Sequence, residues 1–484
     1  MIIAAAQFTP VPGDIEANAA RMAALITEAA ERSAGLVLFS ELALTHYDRH
    51  LIAADPAGLT VTPDDARLTP IREACRATGV AAVVNAAGRT GGDGDRPAIS
   101  SFVLGPDGTL LARYDKIHLF EGEGEGEGES ESALFAPGTA DGRFTLGGIR
   151  FALATCFDNS FPEVPARAAA DGCRVYLASS FHDSAQPVAQ YGQLAREHGL
   201  HVLLANGTGT GHSGSGCGLS GVWLPSGERV AAAAEWTGPV PGDGAELVLS
   251  DVRDLITLMA DPAVAAIPVQ ECGEPLVDVR TAAPELLVAE LRDDERGAFA
   301  QLREGVLKRL LAAQRALPDG LRLKIVEGYR PLELQRRYFE EYVDELRALH
   351  PDRDAGHLHQ AASRYVSPPG IAPHSAGGAV DLTLVTMEGE DVDMGTPINA
   401  SPEESNGACY TGAPDLSPAA RAHRRTLNAA LDSAGLVNYP TEWWHWSYGD
   451  RYWALATGAD HALYGPKEWD GPEEQGGPEE WDGR

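Results

Sequence analysis

Phe151 to Gly172 reads FALATCFDNSFPEVPARAAADG, and the fold of the first half of the chain turns on this stretch. Its first five residues are a short apolar run of the kind that fills a buried strand. Pro162 and the alanine-rich segment after it suit a helix. Cys156 therefore stands at an elbow between strand and helix, and strand ends are where α/β folds present chemistry. Working outward, the same alternation recurs. Met1 to Phe8 reads as a strand, and Asp14 to Arg32 has helical spacing of Ala, Met, Leu and Ile, with Gly35 as a stop signal. Leu36 to Phe39, Val80 to Asn85, Val175 to Ala178 and Val202 to Ala205 are further strands. Residues 1 to about 255 thus predict one layered α/β domain.

A chain of 484 residues exceeds one ordinary core and implies two or three domains. A formal charge of −32 repels polyanions, which excludes nucleic acid and an anionic membrane surface as partners. The N-terminus lacks the basic and long apolar regions of a secretory signal, and no stretch has the roughly 18 consecutive apolar residues of a membrane helix. Six scattered cysteines without a framework fit a reducing, cytoplasmic setting. Glu121 to Ser132, EGEGEGEGESES, predicts a mobile acidic surface loop. Asp254 to Pro268 reads as a junction, and helical periodicity resumes over Asp294 to Ala316 and Leu332 to Leu349. The expected division is 1–258, 259–466 and an acidic, disordered tail over 467–484.

Three polar residues sit beside apolar strands: Glu41 after LVLFS, Lys116 within LLARYDKIHLF, and Cys156 after FALAT. Taken singly they read as a surface glutamate, a solvated lysine and a core cysteine. Together they suit acyl transfer. A thiol near a helix N-terminus and an ammonium is biased toward thiolate. A carboxylate can shuttle the proton and the ammonium can stabilise the oxyanion.

The strings FSELALTHY, YDKIHLF, ATCFDNSFPE, LLANGTG and GLSGVWLPSG, in this order, resemble the nitrilase-like carbon–nitrogen hydrolase superfamily from Met1 to about Arg253. The resemblance implies a four-layer αββα sandwich, no cofactor, a tendency to assemble as homo-oligomers through this domain, and a Glu41–Lys116–Cys156 catalytic set. It further implies that Glu131, in ESALFAPG, positions the lysine. Ser40 and His46 depart from the family's usual proline and glycine, which leaves the reaction class but not the substrate transferable. Amide hydrolysis is favoured over nitrile hydrolysis.

The second half carries APHSAGGAVDLTL and, far downstream, TEWWHW. His374 and Asp381 lie seven apart with Gly377 and Gly378 between them, so a tight bend can bring imidazole and carboxylate together. With His445 they make a three-ligand zinc set with a fourth position open. Glu442 is then left to take a proton from the attacking water, and Arg330, in EGYRP, to stabilise the developing charge. As a bare pattern this is weak, since a core histidine is the usual outcome. Together with GYRP, however, the strings resemble D-alanyl-D-alanine dipeptidase-type zinc metallopeptidases over about Pro268 to Pro466, which implies an α+β domain. The resemblance implies that His374, Asp381 and His445 bind one Zn²⁺, that Glu442 is the base with Arg330 assisting, and that Asp393, in VDMGTP, holds the substrate's ammonium group. Ala372 and Thr281 depart from hydroxyl-bearing positions of vancomycin-resistance dipeptidases, which bears on specificity.

The expectation is a bifunctional hydrolase acting on a small-molecule amide and, separately, on a dipeptide such as D-alanyl-D-alanine. The alternative is that one half is catalytic and the other serves binding or assembly.

Overall fold

In the computed structural model, Ile149–Thr155 lies inside a six-stranded sheet, parallel to Val175–Ser180, which is itself parallel to His201–Asn206. A second six-stranded sheet is built around Ile2–Gln7, Ala34–Phe39 and Ala81–Gly88, also mutually parallel. The structure describes residues 1–89, 96–121, 130–211, 214–238, 244–290 and 297–468. Most of the expected acidic loop (122–129) and the tail from 469 lie outside the described residues. The chain divides into two compact units, Met1–Ile256 and Thr257–Arg484.

In the first unit the two sheets meet face to face. Their central strands, buried on both sides, are near-continuous Ala, Val, Leu and Ile, as parallel strands in such a sandwich require. Helices Ile15–Glu31 and Thr69–Thr78 cover the outer face of one sheet, and Glu163–Ala170 and Tyr191–His198 that of the other. This is the four-layer αββα sandwich. The helix Ile15–Glu31 starts where Asp14 accepts a hydrogen bond from Ala17 N at 2.9 Å, and it buries Ile15, Ala19, Met22, Leu25, Ile26 and Ala29. The expected stop at Gly35 is displaced. Ser33 takes the left-handed turn (φ 64°), and Gly35 lies within the next strand, where a Cβ would sit 2.9 Å from Met1 Cγ.

The second unit is α+β. Its five-stranded sheet has the order Leu287–Val288, Leu321–Glu327, Ala379–Thr386, His445–Ser447, Val437–Asn438. Helix Pro418–Ser433 packs on strands Ala379–Thr386 and Val437–Asn438 and on helix Glu304–Ala316, and helix Leu332–Leu349 packs on Ala355–Ala362. The helix expected from Asp294 begins only at Glu304, because Gly297 (φ 76°) and the short strand Gln301–Arg303 intervene. No helix among the described residues is long and apolar enough to cross a membrane.

Candidate active sites

Glu41, Lys116, Glu131 and Cys156 converge in the first unit. Glu41 follows Ala34–Phe39, and Lys116 follows Leu110–Asp115. Glu131 opens the single-turn helix Glu131–Leu134, and Cys156 begins a 3₁₀ turn at the end of Ile149–Thr155. Lys116 Nζ donates to Glu41 Oε1 at 2.8 Å and to Glu131 Oε1 at 2.9 Å, and all three side chains are fully buried. Glu131 is clamped from its other side. Tyr47 OH donates to Oε1 at 2.6 Å and Phe120 N to Oε2 at 2.8 Å. Cys156 adopts φ 45°, a strained backbone for a residue with a Cβ, as functional sites often hold. Asp158, fully buried, pins this elbow by accepting from Thr155 N at 2.9 Å, Tyr114 OH at 2.6 Å and His118 N at 2.9 Å.

Burial dominates the electrostatics, and it corrects one expectation. The Cys156 thiol is not biased toward thiolate. Desolvation and the nearby Glu41 carboxylate push it well above the ordinary range, outweighing the pull of Lys116. Glu41 is raised to about 7 by burial and by Glu131, against the lowering effect of Lys116. Burial works against the charge on Lys116, yet the two carboxylates overcome it and keep the ammonium protonated. The Cys156 thiol is a hydrogen-bonding neighbour of the Glu41 carboxyl, whose Oε1 accepts from Lys116.

A hydroxyl ties the nucleophile's loop to the strand behind it. Tyr191 OH receives Asn159 Nδ2 at 3.0 Å and contacts Ser180 Oγ at 2.9 Å and His182 Nε2 at 3.0 Å. Asn159 Nδ2 also donates to the Cys156 carbonyl at 2.8 Å. The carbonyl of Ser180 in turn accepts from Glu41 N at 3.4 Å. With one donor and two lone pairs, the Tyr191 hydroxyl is saturated by these partners.

In the second unit His374, Asp381 and His445 meet, all buried. Asp381 and His445 are direct partners across the antiparallel pair Ala379–Thr386 and His445–Ser447. His374 reaches them because Gly377 takes φ 67° between its 3₁₀ turn and the strand. His374 Nε2 lies 3.1 Å from His445 Nδ1, and Asp381 Oδ1 lies 3.0 Å from His445 Nδ1 and 3.3 Å from His374 Nε2. Donors about 2.0–2.1 Å from a tetrahedral zinc ion are about 3.3 Å apart, so this triangle fits the ion. His374 Nδ1 is bonded to Gly328 O at 2.6 Å, which makes it the protonated nitrogen and turns the Nε2 lone pair inward. Burial opposes charge on Asp381, but the two imidazoles hold it ionised well below the usual carboxylate range.

Glu442 Oε2 is 3.9 Å from His445 Nδ1, and burial together with Asp381 raises its pKa well above the ordinary value. Arg330 is half-buried beside the cluster, its guanidinium fixed by Glu327 (Nε to Oε1, 2.7 Å) and Gln335 (Nη1 to Oε1, 3.0 Å). Asp393 is exposed on the segment between strand Ala379–Thr386 and helix Pro418–Ser433. Its oxygens accept from Gly395 N at 2.8 Å and Ser417 Oγ at 3.0 Å, at the start of helix Pro418–Ser433. Tyr47, Asp158, Tyr191 and Glu327 escaped the sequence reading. The one available signal was proximity, since Tyr47, Asp158 and Glu327 lie within a few residues of Glu41, Cys156 and Arg330.

The carbon–nitrogen hydrolase family matches residues 2–250, and the D-ala-D-ala dipeptidase family matches residues 296–461. Over 219 residues the chain is 32% identical to a D-alanyl-D-alanine dipeptidase of Synechocystis sp., covering 39% of this chain and 87% of that protein. Over 76 residues it is 37% identical to the omega-amidase NIT2 of Homo sapiens, covering 16% of this chain and 28% of that protein. The crystal structure of an amidase from Nesterenkonia sp. aligns with 52% of this chain and 90% of its own, at 26% identity and a TM-score of 0.45. The chain belongs to the carbon–nitrogen hydrolase family through its first unit and to the D-alanyl-D-alanine dipeptidase family through its second.

Proposed function

We propose that the chain is a bifunctional hydrolase, with a cysteine amidase in its first unit and a zinc dipeptidase in its second. The observation that carries this reading is that each unit contains its own buried polar cluster with a complete set of reacting groups.

In the amidase, the neutral Cys156 thiol gives its proton to Glu41 as sulfur attacks the amide carbon. Lys116 Nζ, oriented by Glu131, stabilises the oxyanion. Collapse of the tetrahedral adduct breaks the C–N bond, and Glu41 returns the proton to the departing amine. Water then attacks the thioester, with Glu41 as base, and releases the carboxylic acid and the free thiol. Glu41 must be ionised to accept the first proton, so activity is lost as pH falls through its pKa. Ammonia release from an amide substrate, measured as kcat/KM against pH, is expected to show an acid limb near about 7. A profile flat down to about pH 5 would remove Glu41 from the role of base.

Tyr191→Phe is expected to lower kcat for the amide roughly 10-fold with KM little changed, because a saturated hydroxyl bridging the nucleophile's loop and the base's backbone is lost. An unchanged kcat would show that Tyr191 has no positioning role.

In the dipeptidase, His374, His445 and Asp381 would hold one Zn²⁺. When bound, this ion supplies Lewis acidity to water and to the peptide carbonyl. Glu442 takes the proton from the attacking water and passes it to the leaving amine. Arg330, locked by Glu327, contributes fixed positive charge beside the developing oxyanion. The sequence likeness to D-alanyl-D-alanine dipeptidases supports a short dipeptide, D-alanyl-D-alanine or similar, as the substrate.

A further inference from the structure

His46 takes φ 66°, a left-handed backbone that residues with a Cβ seldom adopt, and its imidazole is buried. Strain of this kind persists where the surroundings impose it, and here they are an aromatic ring and a glycine-rich hairpin. The hairpin pairs Thr208–Gly211 with Gly214–Cys217 and lies against the imidazole. A Cβ at Gly209 would come within 3.0 Å of His46 Nε2, and one at Gly211 within 3.1 Å of Cε1. The imidazole also meets the Phe181 ring edge-on, with 5.5 Å between centroids and 74° between planes.

Phe181 is tied to the reacting groups. Its N–H donates to the Cys156 sulfur. Its ring stacks on Tyr47 at 4.9 Å and 15°, and Tyr47 OH donates to Glu131, the carboxylate that holds Lys116. The backbone on either side is pinned, since Gly207 N donates to Ser180 O at 2.9 Å and Cys217 N to His182 O at 2.8 Å. With its backbone fixed, the ring can move only about its own side-chain bonds. Tyr47 and His46 block it from two directions. The hairpin blocks a third, because a Cβ at Gly216 would lie 2.9 Å from Phe181 Cε2. Phe181 is itself half-buried. A ring one hydrogen bond from the nucleophile and held in this way is a fixed wall beside the carbon that sulfur attacks.

We propose that Phe181 is the wall that limits the acyl group of the amide and that His46 is the wedge fixing it, so that the first unit takes short-chain amides and excludes long ones. This rests on the amidase reading. Phe181 touches the substrate, whereas His46 acts through Phe181 and is a positioning residue. In His46→Gly the volume of the imidazole is open to Phe181, and the wall can retreat. Packed sites tolerate little misfit, and in an apolar pocket one methylene changes kcat/KM by roughly 10- to 200-fold.

The test follows ammonia release by the full chain from propionamide and from hexanamide. Wild type is expected to favour propionamide at least about 10-fold in kcat/KM. His46→Gly, which also relieves the left-handed strain, is expected to raise the hexanamide-to-propionamide ratio roughly 10- to 100-fold. His46→Asn keeps a smaller side chain in a conformation that asparagine tolerates, and should fall between. A merely structural role would lower both rates together and leave the ratio alone. An unchanged ratio in either active variant, or a wild-type preference for hexanamide, would overturn the assignment. Calorimetric binding of the same two amides to the Cys156→Ala chain, with and without His46→Gly, reads the fit without turnover. Cys156→Ala alone should bind propionamide and not hexanamide, and the double variant should bind both. Equal binding of both amides with His46 in place would overturn the wall. If the wild-type chain hydrolyses neither amide, the amidase reading fails, and the binding comparison still decides whether His46 sets the acyl length.

Discussion

Cys156→Ala is expected to depress amide hydrolysis by at least about 10⁴-fold, measured as ammonia release, while dipeptide cleavage by the same protein stays within about 2-fold of wild type. The size of the effect follows from the proposed chemistry. Glu41 and Lys116 remain in place without sulfur, but neither supplies a nucleophile, and what survives is binding and oxyanion stabilisation. Because the thiol is neutral in the free protein, Cys156→Ser keeps a proton for Glu41 to take yet offers a far weaker nucleophile. It should resemble Cys156→Ala rather than wild type. Loss of both activities in Cys156→Ala would contradict separate sites.

Glu442→Gln is expected to reduce dipeptide cleavage roughly 10²- to 10⁴-fold, the range that general acid–base catalysis contributes, with amide hydrolysis unchanged. Zinc content, measured on the purified variant, should remain near one ion per chain, because the proposed ligand atoms belong to His374, Asp381 and His445. His374→Ala is the contrasting case, in which both zinc content and cleavage fall together. If Glu442→Gln kept full activity, the proton would have to move through another group, and Glu442 would lose its role.

Much of this was legible in the residues. The strands of the first unit announce themselves because both of their faces are buried, so apolar runs such as LVLF and FALA are nearly uninterrupted. Glu41 and Cys156 stand out because each lies at the end of such a run, whereas Lys116 follows the mixed strand Leu110–Asp115. His374 and Asp381 converge through a glycine that takes a positive φ, as their spacing suggested. What stayed hidden depended on tertiary surroundings. The protonation of Cys156 is set by how much water is excluded around it, and nearby Lys116 made the opposite sign look natural. Glu327 looks like any strand-end glutamate until its pairing with Arg330 is seen. Gly35 obeyed packing against Met1 rather than the helix-stop role its position suggested.

Two chemically unlike centres in one chain are most directly tested by metal removal. Amide hydrolysis and dipeptide cleavage are assayed on one preparation before and after dialysis against a zinc chelator, and again after zinc is restored. Dipeptide cleavage should disappear and return with the metal, while amide hydrolysis holds steady throughout. Dipeptide cleavage that persists in zinc-free protein, or amide hydrolysis that falls and recovers with it, would contradict a sulfur centre and a metal centre working apart.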